Sequence, residues 1–478
     1  MKFILKADIP ILILLFFLLR LYGITNPPLE RNHNWRQATT NMYARNFLEV
    51  DNNILYARVD MAGDLTGITA KEFPLFNYLI YLAAELFGWQ HWYGRLINLL
   101  VSSLGVCFFY LLVKKNVDDK RAVPPSEKPF PTLALPAALL LLCSIWFGHS
   151  RIIMPDTFSV SLVLAALYFG LGYVYQGKGW RLLLFFMLGT AGSLSKLPSS
   201  FLLAVLLFPL FHKEVAVDRK LWLAGVGAAM LAISGGWYFY WLPFIVKTYG
   251  FEHYPMRTFW EGAKEIMADL PETAERFYVS ALKSYLAFTL YMAGVILIFL
   301  KRHRWLLPLF SLLSAVFLLF MFKSGASFYH HNYYIIPFVP VMAFLAAYAW
   351  SHIPLKWLRI LLLLAIAMES VANQQDAFHI RPSEMAKLEL ETIADSLGSR
   401  SDLVAFYSED GNPQELYFSH RKGWLSTKQE LLAPDYLHVL KTKGCRLVFV
   451  NKKNWGAGDW PPISTVFEND AYRVFVMH

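Results

Sequence analysis

The chain has 478 residues, of which 56% are hydrophobic, 16% aromatic and only 17% Asp, Glu, Lys or Arg. Ordinary soluble domains carry about 25% charged residues; a soluble protein of this length cannot hide so much apolar surface, whereas a bilayer can. The formal net charge of +9 has no basic helix or RNA-binding motif beside it, so nucleic acid is excluded as a partner and basic cytoplasmic loops account for the charge. Cys107, Cys143 and Cys445 are too widely spaced for a metal knuckle or a disulfide framework and read as packing residues.

The N-terminal MKFILKADIPILILLFFLLRLYGIT begins basic and continues apolar, as a signal peptide does, but lacks a small-x-small cleavage site. It is expected to stay in place as the first span. Apolar runs follow at 96–113, 132–149, 157–175, 181–194, 198–212, 221–247, 284–300, 305–322, 333–350 and 357–372. With 8–24 these make about eleven transmembrane helices, some shorter than the ~20 residues that a perpendicular span needs. Segment 75–88, FPLFNYLIYLAAEL, is apolar but short and is expected in the membrane interface. A cytoplasmic N-terminus places KKNVDDKRAVPPSEK, GKGWR, HKEVAVDRK, KRHR and PLKWLR inside, where short basic loops belong. The segments 25–95 and 248–283 and the tail are then extracytoplasmic.

The tail changes character. SEMAKLELETIADSL has helical spacing, while DLVAFYS, ELYFSH, RLVFVNK, ISTVFE and AYRVFVM read as strands. The expected architecture is an α-helical polytopic membrane protein over 1–373, carrying a C-terminal soluble α/β domain over 374–478.

Polar residues gather on the outer side. Segment 25–95 holds Glu30, Arg31, His33, Arg36, Arg45, Arg58, Asp60, Lys71, Glu72 and Arg95; later outer turns add Arg151, Asp156, Lys196, Lys323, His330, His331, Tyr333 and Tyr334. Cations so placed suit a phosphate at the membrane surface, where Arg offers a fork and Lys and His single donors. A carboxylate among them can stay ionised and take a proton from a hydroxyl. Each residue also has a plainer role: lipid-headgroup contact for the cations, a surface ion pair for Glu72 and a helix N-cap for Asp156. Snorkelling from a short turn would account for Lys196, and an aromatic belt for Tyr334.

Several fragments, in order and sidedness, look familiar. They are LRLYGI, HNWRQATTNMYARNF, KEFPLFNYLIYLAAELFGWQHWYGRLINLL, SRIIMPDTFSVSLVLAALYF, SLSKLPSSFLLAVLLFP and HHNYYIIPFVPVMAFLAA, with ELYFSHRKGW in the tail. Through them the chain resembles the GT-C superfamily of integral-membrane glycosyltransferases. The likeness is to bacterial members of the dolichyl-phosphate-mannose protein mannosyltransferase group and the lipid A aminoarabinose transferases.

The resemblance implies transfer of a hexose or pentose from a polyprenyl-phosphate carrier to a hydroxyl on a lipid, polysaccharide or protein acceptor, usually with inversion. It implies the periplasmic face of a bacterial inner membrane. It implies a carboxylate base and cations on the departing phosphate. Many members carry an Asp-Glu pair where alignment on Ala44-Arg45 puts Arg36-Gln37, and neither an Arg nor an amide serves as a base at neutral pH. The base is then sought at Glu72, beside the turn KEFPL, or Asp156, at the family's acidic position between the third and fourth spans. Asp60 follows, then Glu30. Arg36, Arg45, Lys71, Lys196 and His331, with Tyr334, are the expected substrate and phosphate ligands. Some members bind a divalent metal; no ligand set is evident here. A non-catalytic scaffold of glycan assembly, favoured by Arg36-Gln37, and a lipid-linked sugar flippase stay open as alternatives.

Overall fold

The computed structural model describes residues 8–69, 71–119, 132–252 and 257–477. Residues 120–128 of the expected basic inner loop, residues 1–7 and residues 253–256 of the expected outer loop 248–283 lie outside the described residues. Contacts divide the chain into two compact units. The first comprises Met1–Ile24, Gly94–Phe239 and Pro255–Phe378; the second comprises Thr25–Tyr93, Tyr240–Tyr254 and His379–His478. Segment 25–93 thus groups with the tail rather than with the spans.

The first unit is helical and apolar, and the chain is a multi-pass membrane protein. Among the described residues five helices are long and apolar enough to cross a bilayer: Tyr93–Asp118, Pro155–Gln176, Val217–Tyr249, Leu306–Ser324 and Asn332–Ser351. The pair Leu270–Ala281 and Tyr285–Leu300, bent by 107°, makes a sixth if counted as one span. The other apolar runs are also helical but short or interrupted. Run 132–149 breaks after Ala134–Cys143, where the Ser144 hydroxyl donates to the Leu141 carbonyl and accepts from the Trp146 amide. Run 198–212 starts as the 3₁₀ helix Leu197–Leu206, whose ten residues rise about 2.0 Å each.

Side chains without bulk let these helices meet closely. A Cβ on Gly192 would lie 2.7 Å from the Val163 side chain and 3.2 Å from the Ser159 carbonyl oxygen, and one on Gly294 would collide with the Leu345 carbonyl. Phe201, Phe277, Phe317, Phe328 and Phe338 form a ring cluster, Phe317 and Phe338 stacked at 4.6 Å. Glu369 accepts from the Ser284 hydroxyl at 2.5 Å and the Tyr285 amide at 2.9 Å, closing the start of Tyr285–Leu300.

The second unit is built on a five-stranded sheet ordered β2-β1-β3-β5-β4, with β1 Leu403–Tyr407, β2 Gly423–Ser426, β3 Cys445–Asn451, β4 Ser464–Glu468 and β5 Tyr472–Val476. β1 runs parallel to β2 and β3, whereas β5 runs antiparallel to β3 and β4. Alternate residues face opposite layers. Val404, Phe406, Leu447, Phe449 and Val474 pack with Met42, Phe47, Val59 and Tyr81 of segment 25–93. Ala405, Tyr407, Val448, Val450 and Phe475 pack with Leu437, Leu440 and Trp455 on the other side. Cover on both faces explains why β1 and β3 read as continuous apolar runs.

One expectation for the tail is corrected and one strand is added. ELYFSH is not a strand but the buried helix Gln414–Ser419, entered from Pro413 and closed by His420 at φ 53°. GWLS, passed over in the sequence, is β2. SEMAKLELETIADSL is helical, as 3₁₀ helix Pro382–Glu389 followed by Leu390–Leu397.

Candidate active site

Within the first unit, Pro155 and Asp156 open the helix Pro155–Gln176 after Met154, which is extended. Pro suits the first helical position because its missing N–H has no partner to lose. Asp156 follows in the first turn, where the helix dipole favours a negative charge. The capping position belongs to Met154 and Asp156 makes no cap bond. Its Oδ1 instead lies 3.3 Å from Lys196 Nζ, with the two side chains 4% and 7% exposed. Asp156 Oδ2 is buried and accepts no hydrogen bond from the described residues.

Lys196 ends the helix Gly179–Ser195 in an extended conformation just before Leu197-Pro198. Its side chain turns into the protein rather than outward. The ammonium lies 5.2 Å from the Tyr333 ring centre and 5.8 Å from that of Tyr334, within cation–π range. His331 stacks on Tyr333 at 5.3 Å and on Tyr334 at 6.2 Å. Four residues expected at a site, Asp156, Lys196, His331 and Tyr334, are thus brought together with Tyr333.

Two residues that sequence reasoning passed over hold this group in place. Asn98 Nδ2 donates to the carbonyls of His149 (3.0 Å), Ile152 (2.8 Å) and Met154 (3.3 Å), and its Oδ1 accepts from the Thr157 hydroxyl at 2.9 Å. It fixes the turn that delivers Asp156. Ser159 donates towards the Gly192 carbonyl (2.8 Å), the Lys196 carbonyl (3.3 Å) and the Ser199 hydroxyl (2.7 Å), tying Asp156's helix to the junction that carries Lys196. An amide inside the apolar run INLLVSS was the available signal, since a polar residue in a span marks a built feature.

Within the second unit the other expected residues form two ion pairs. Arg36 Nη2 meets Glu72 Oε1 at 2.6 Å, the side chains 5% and 14% exposed, with Lys71 adjacent in sequence. Arg45 Nη2 meets Asp60 Oδ2 at 2.9 Å. Arg45 also donates to the Tyr417 carbonyl at 2.9 Å and lies over the Tyr417 ring, while Asp60 Oδ1 accepts from Asn46 Nδ2 at 2.8 Å. Burial pushes the Tyr417 phenol well above its ordinary value, offset in part by the Arg45 charge. Glu30 is buried and accepts from Asn26 Nδ2 at 3.0 Å. Among the described residues no group of three or more His, Cys, Asp or Glu could hold a metal ion.

The sequence profile of the dolichyl-phosphate-mannose-protein mannosyltransferase family matches residues 71–239, a stretch that includes Glu72, Asp156 and Lys196. No curated protein matches the chain in sequence. Among solved structures, that of ArnT from Cupriavidus metallidurans in the apo state is similar at 13% identity with a TM-score of 0.60, over 97% of this chain and 97% of that one. The same ArnT bound to undecaprenyl phosphate is similar at 12% identity with a TM-score of 0.57, over 97% of this chain and 98% of the other. The chain therefore has the fold of ArnT over nearly its whole length and the mannosyltransferase sequence pattern across 71–239, so the resemblance to the GT-C mannosyltransferase and aminoarabinose transferase group holds.

Proposed function

We propose that the protein is a glycosyltransferase that moves a sugar from a polyprenyl-phosphate carrier to an acceptor hydroxyl, with inversion, on the periplasmic face of a bacterial inner membrane. The observation that carries this reading is the buried Asp156–Lys196 pair beside Tyr333, Tyr334 and His331. The similar ArnT structure bound to undecaprenyl phosphate supports the donor class.

The chemistry follows from the two groups. Lys196, with His331 as a neighbouring donor, takes the carrier phosphate, so that the negative charge growing on the phosphate oxygens meets a cation already in place. The bond from the anomeric carbon to the phosphate oxygen breaks and the phosphate leaves with the electron pair. The acceptor oxygen attacks from the opposite side, and its proton passes to Asp156. Oδ2, with no hydrogen bond from the described residues, is the atom that would receive it. The stacked aromatic rings limit the room for water beside the ammonium, which strengthens the charge interaction.

Glu72 is the alternative base, but its tight pair with Arg36 favours a second reading in which that cluster holds the fold. A non-catalytic scaffold would need neither carboxylate.

The test is sugar transfer from radiolabelled polyprenyl-phosphate sugars by the full chain in membranes, comparing wild type, Asp156→Asn and Glu72→Gln at matched protein levels. Loss of turnover in Asp156→Asn with retained donor binding supports the mechanism. Loss only in Glu72→Gln moves the base to Glu72. An inert wild type with every donor favours the scaffold.

A further inference from the structure

The second unit contains a cavity of about 250 Å³ that the reaction above does not use. One wall is aromatic. Trp89 and His91 meet edge to face at 6.4 Å, His91 packs against Phe418 at 5.9 Å, and His91 Nδ1 shares a hydrogen bond of 2.6 Å with the Tyr417 hydroxyl. The lining also carries polar groups. His420 bridges two carboxylates, Nε2 to Glu49 at 2.7 Å and Nδ1 to Glu391 at 3.1 Å. These carboxylates are 40% and 45% exposed, so they can be reached from solvent. His420 adopts φ 53°, a left-handed conformation that a residue with a Cβ rarely takes, and that conformation places its ring between them.

Each charged side chain lining the cavity already has a partner. Arg45 is paired with Asp60, Glu391 with Arg400 at 2.6 Å, and Glu49 is bonded to His420. Burial raises the Glu49 carboxyl, but the hydrogen bond and charge of His420, with Arg45 and Arg400, outweigh it and keep it below its ordinary range, so it remains an acceptor. With Glu49 and Glu391 on its lining and Arg45 already paired with Asp60, the cavity offers little to an anion such as a phosphate or a uronate. It offers apolar aromatic rings together with hydrogen-bond acceptors, which matches a ring with a C–H face and a hydroxyl edge. Its volume falls below the about 300–1,000 Å³ of pockets for drug-sized ligands, which suits a single ring.

We propose that this cavity binds one unit of a neutral saccharide. Its role as the docking point of an acceptor glycan rests on the glycosyltransferase reading; the binding itself does not.

The experiment titrates the full chain in lipid nanodiscs with mannotriose, chitotriose and galactotriose, and with trigalacturonate as the charged counterpart. Binding is read by saturation-transfer NMR and tryptophan fluorescence. At least one neutral trimer is expected to bind in the range of about 1 mM, and trigalacturonate is expected not to. Trp89→Ala should weaken binding about fivefold to tenfold and Trp89→Phe should restore most of it. Glu49→Gln, which keeps the shape of the lining, should weaken it as well. The proposal is overturned if none of the neutral trimers binds wild type, if trigalacturonate binds as well as they do, or if folded Trp89→Ala and Glu49→Gln both bind like wild type. Donor turnover measured on the same samples separates the two ideas. Trimer binding without turnover supports the cavity and sinks the glycosyltransferase reading; turnover without trimer binding does the reverse.

Discussion

The pair Asp156–Lys196 allows catalysis and stability to be separated. Asp156→Asn keeps the side-chain shape but leaves the Lys196 ammonium, 7% exposed, facing an amide. Breaking a buried ion pair by neutralising one member costs about 3–5 kcal/mol, whereas replacing both members by apolar residues of similar volume is often neutral or stabilising by about 1–4 kcal/mol. The single variant should therefore melt well below wild type. Asp156→Leu combined with Lys196→Met should recover most of the loss.

Turnover should behave differently. Loss of a general base lowers the rate by about 10²–10⁴-fold, and loss of a cation at the leaving phosphate lowers it again. The double variant should regain stability without regaining activity. The measurements are thermal unfolding in lipid nanodiscs and single-turnover sugar transfer on the same preparations. A double variant that turns over at a rate close to wild type would show that the pair only holds the helices. An Asp156→Asn protein that is both stable and active would remove Asp156 from the mechanism altogether.

Three further outcomes follow from the geometry. Ser159→Ala should lose about 1 kcal/mol of stability yet slow transfer by more than that loss explains, because its hydroxyl sets the junction carrying Lys196; equal, small effects on both would make it an ordinary packing residue. Gly294→Val should cost about 1–3 kcal/mol by overpacking, since the new side chain meets the Leu345 carbonyl, and wild-type melting would show that the two helices can part freely. Burial raises the Glu415 carboxyl above its ordinary value, against the Lys387 charge and the hydrogen bonds from Asn451 and Tyr472. The folded state then holds this proton more tightly than the unfolded one, so Glu415 favours folding on the acid side of its raised value and loses that contribution as pH rises. Glu415→Gln should accordingly stabilise the protein at pH 7 by more than it does near the carboxyl's ordinary value, and a stability difference independent of pH would contradict this.

Hydropathy made the helical part legible, because each apolar run folds as helix even where a serine or a 3₁₀ turn breaks it. It could not show how many cross, since ten residues of 3₁₀ and ten of α rise by different amounts. In the tail, short runs rich in apolar and aromatic residues marked β1, β3, β4 and β5 but misled at ELYFSH, whose polar Glu415 turns inward to Asn451 and Tyr472 rather than outward to water. The grouping of segment 25–93 with the sheet was hidden for a similar reason. Helix Asn34–Glu49 is polar in sequence but mostly buried, because its polar groups are satisfied locally: Thr40 donates to the Arg36 carbonyl at 2.9 Å and Arg45 pairs with Asp60. The residues expected at the site could be picked out only as types. Their pairing could not, because ion pairs between distant segments leave no periodicity.

The three ion pairs among the expected site residues are not equivalent, and hydrogen-bond saturation orders them. Both Asp60 oxygens accept, from Asn46 and Arg45, and Arg45 has a carbonyl and a ring besides; that cluster is complete and fastens helix Asn34–Glu49 to the tail. Arg36–Glu72 is short and more exposed on its carboxylate side. Asp156 is the carboxylate that combines a buried cation with a buried oxygen lacking a hydrogen bond from the described residues. Leaving such an oxygen unsatisfied costs about 1–3 kcal/mol, and native proteins keep such groups where they serve a purpose. An arriving hydroxyl would donate to that oxygen and remove the penalty, while a fully bonded carboxylate such as Asp60 would first have to give up a partner. That difference, rather than charge alone, places Asp156 ahead of Glu72 and Asp60 as the proposed base.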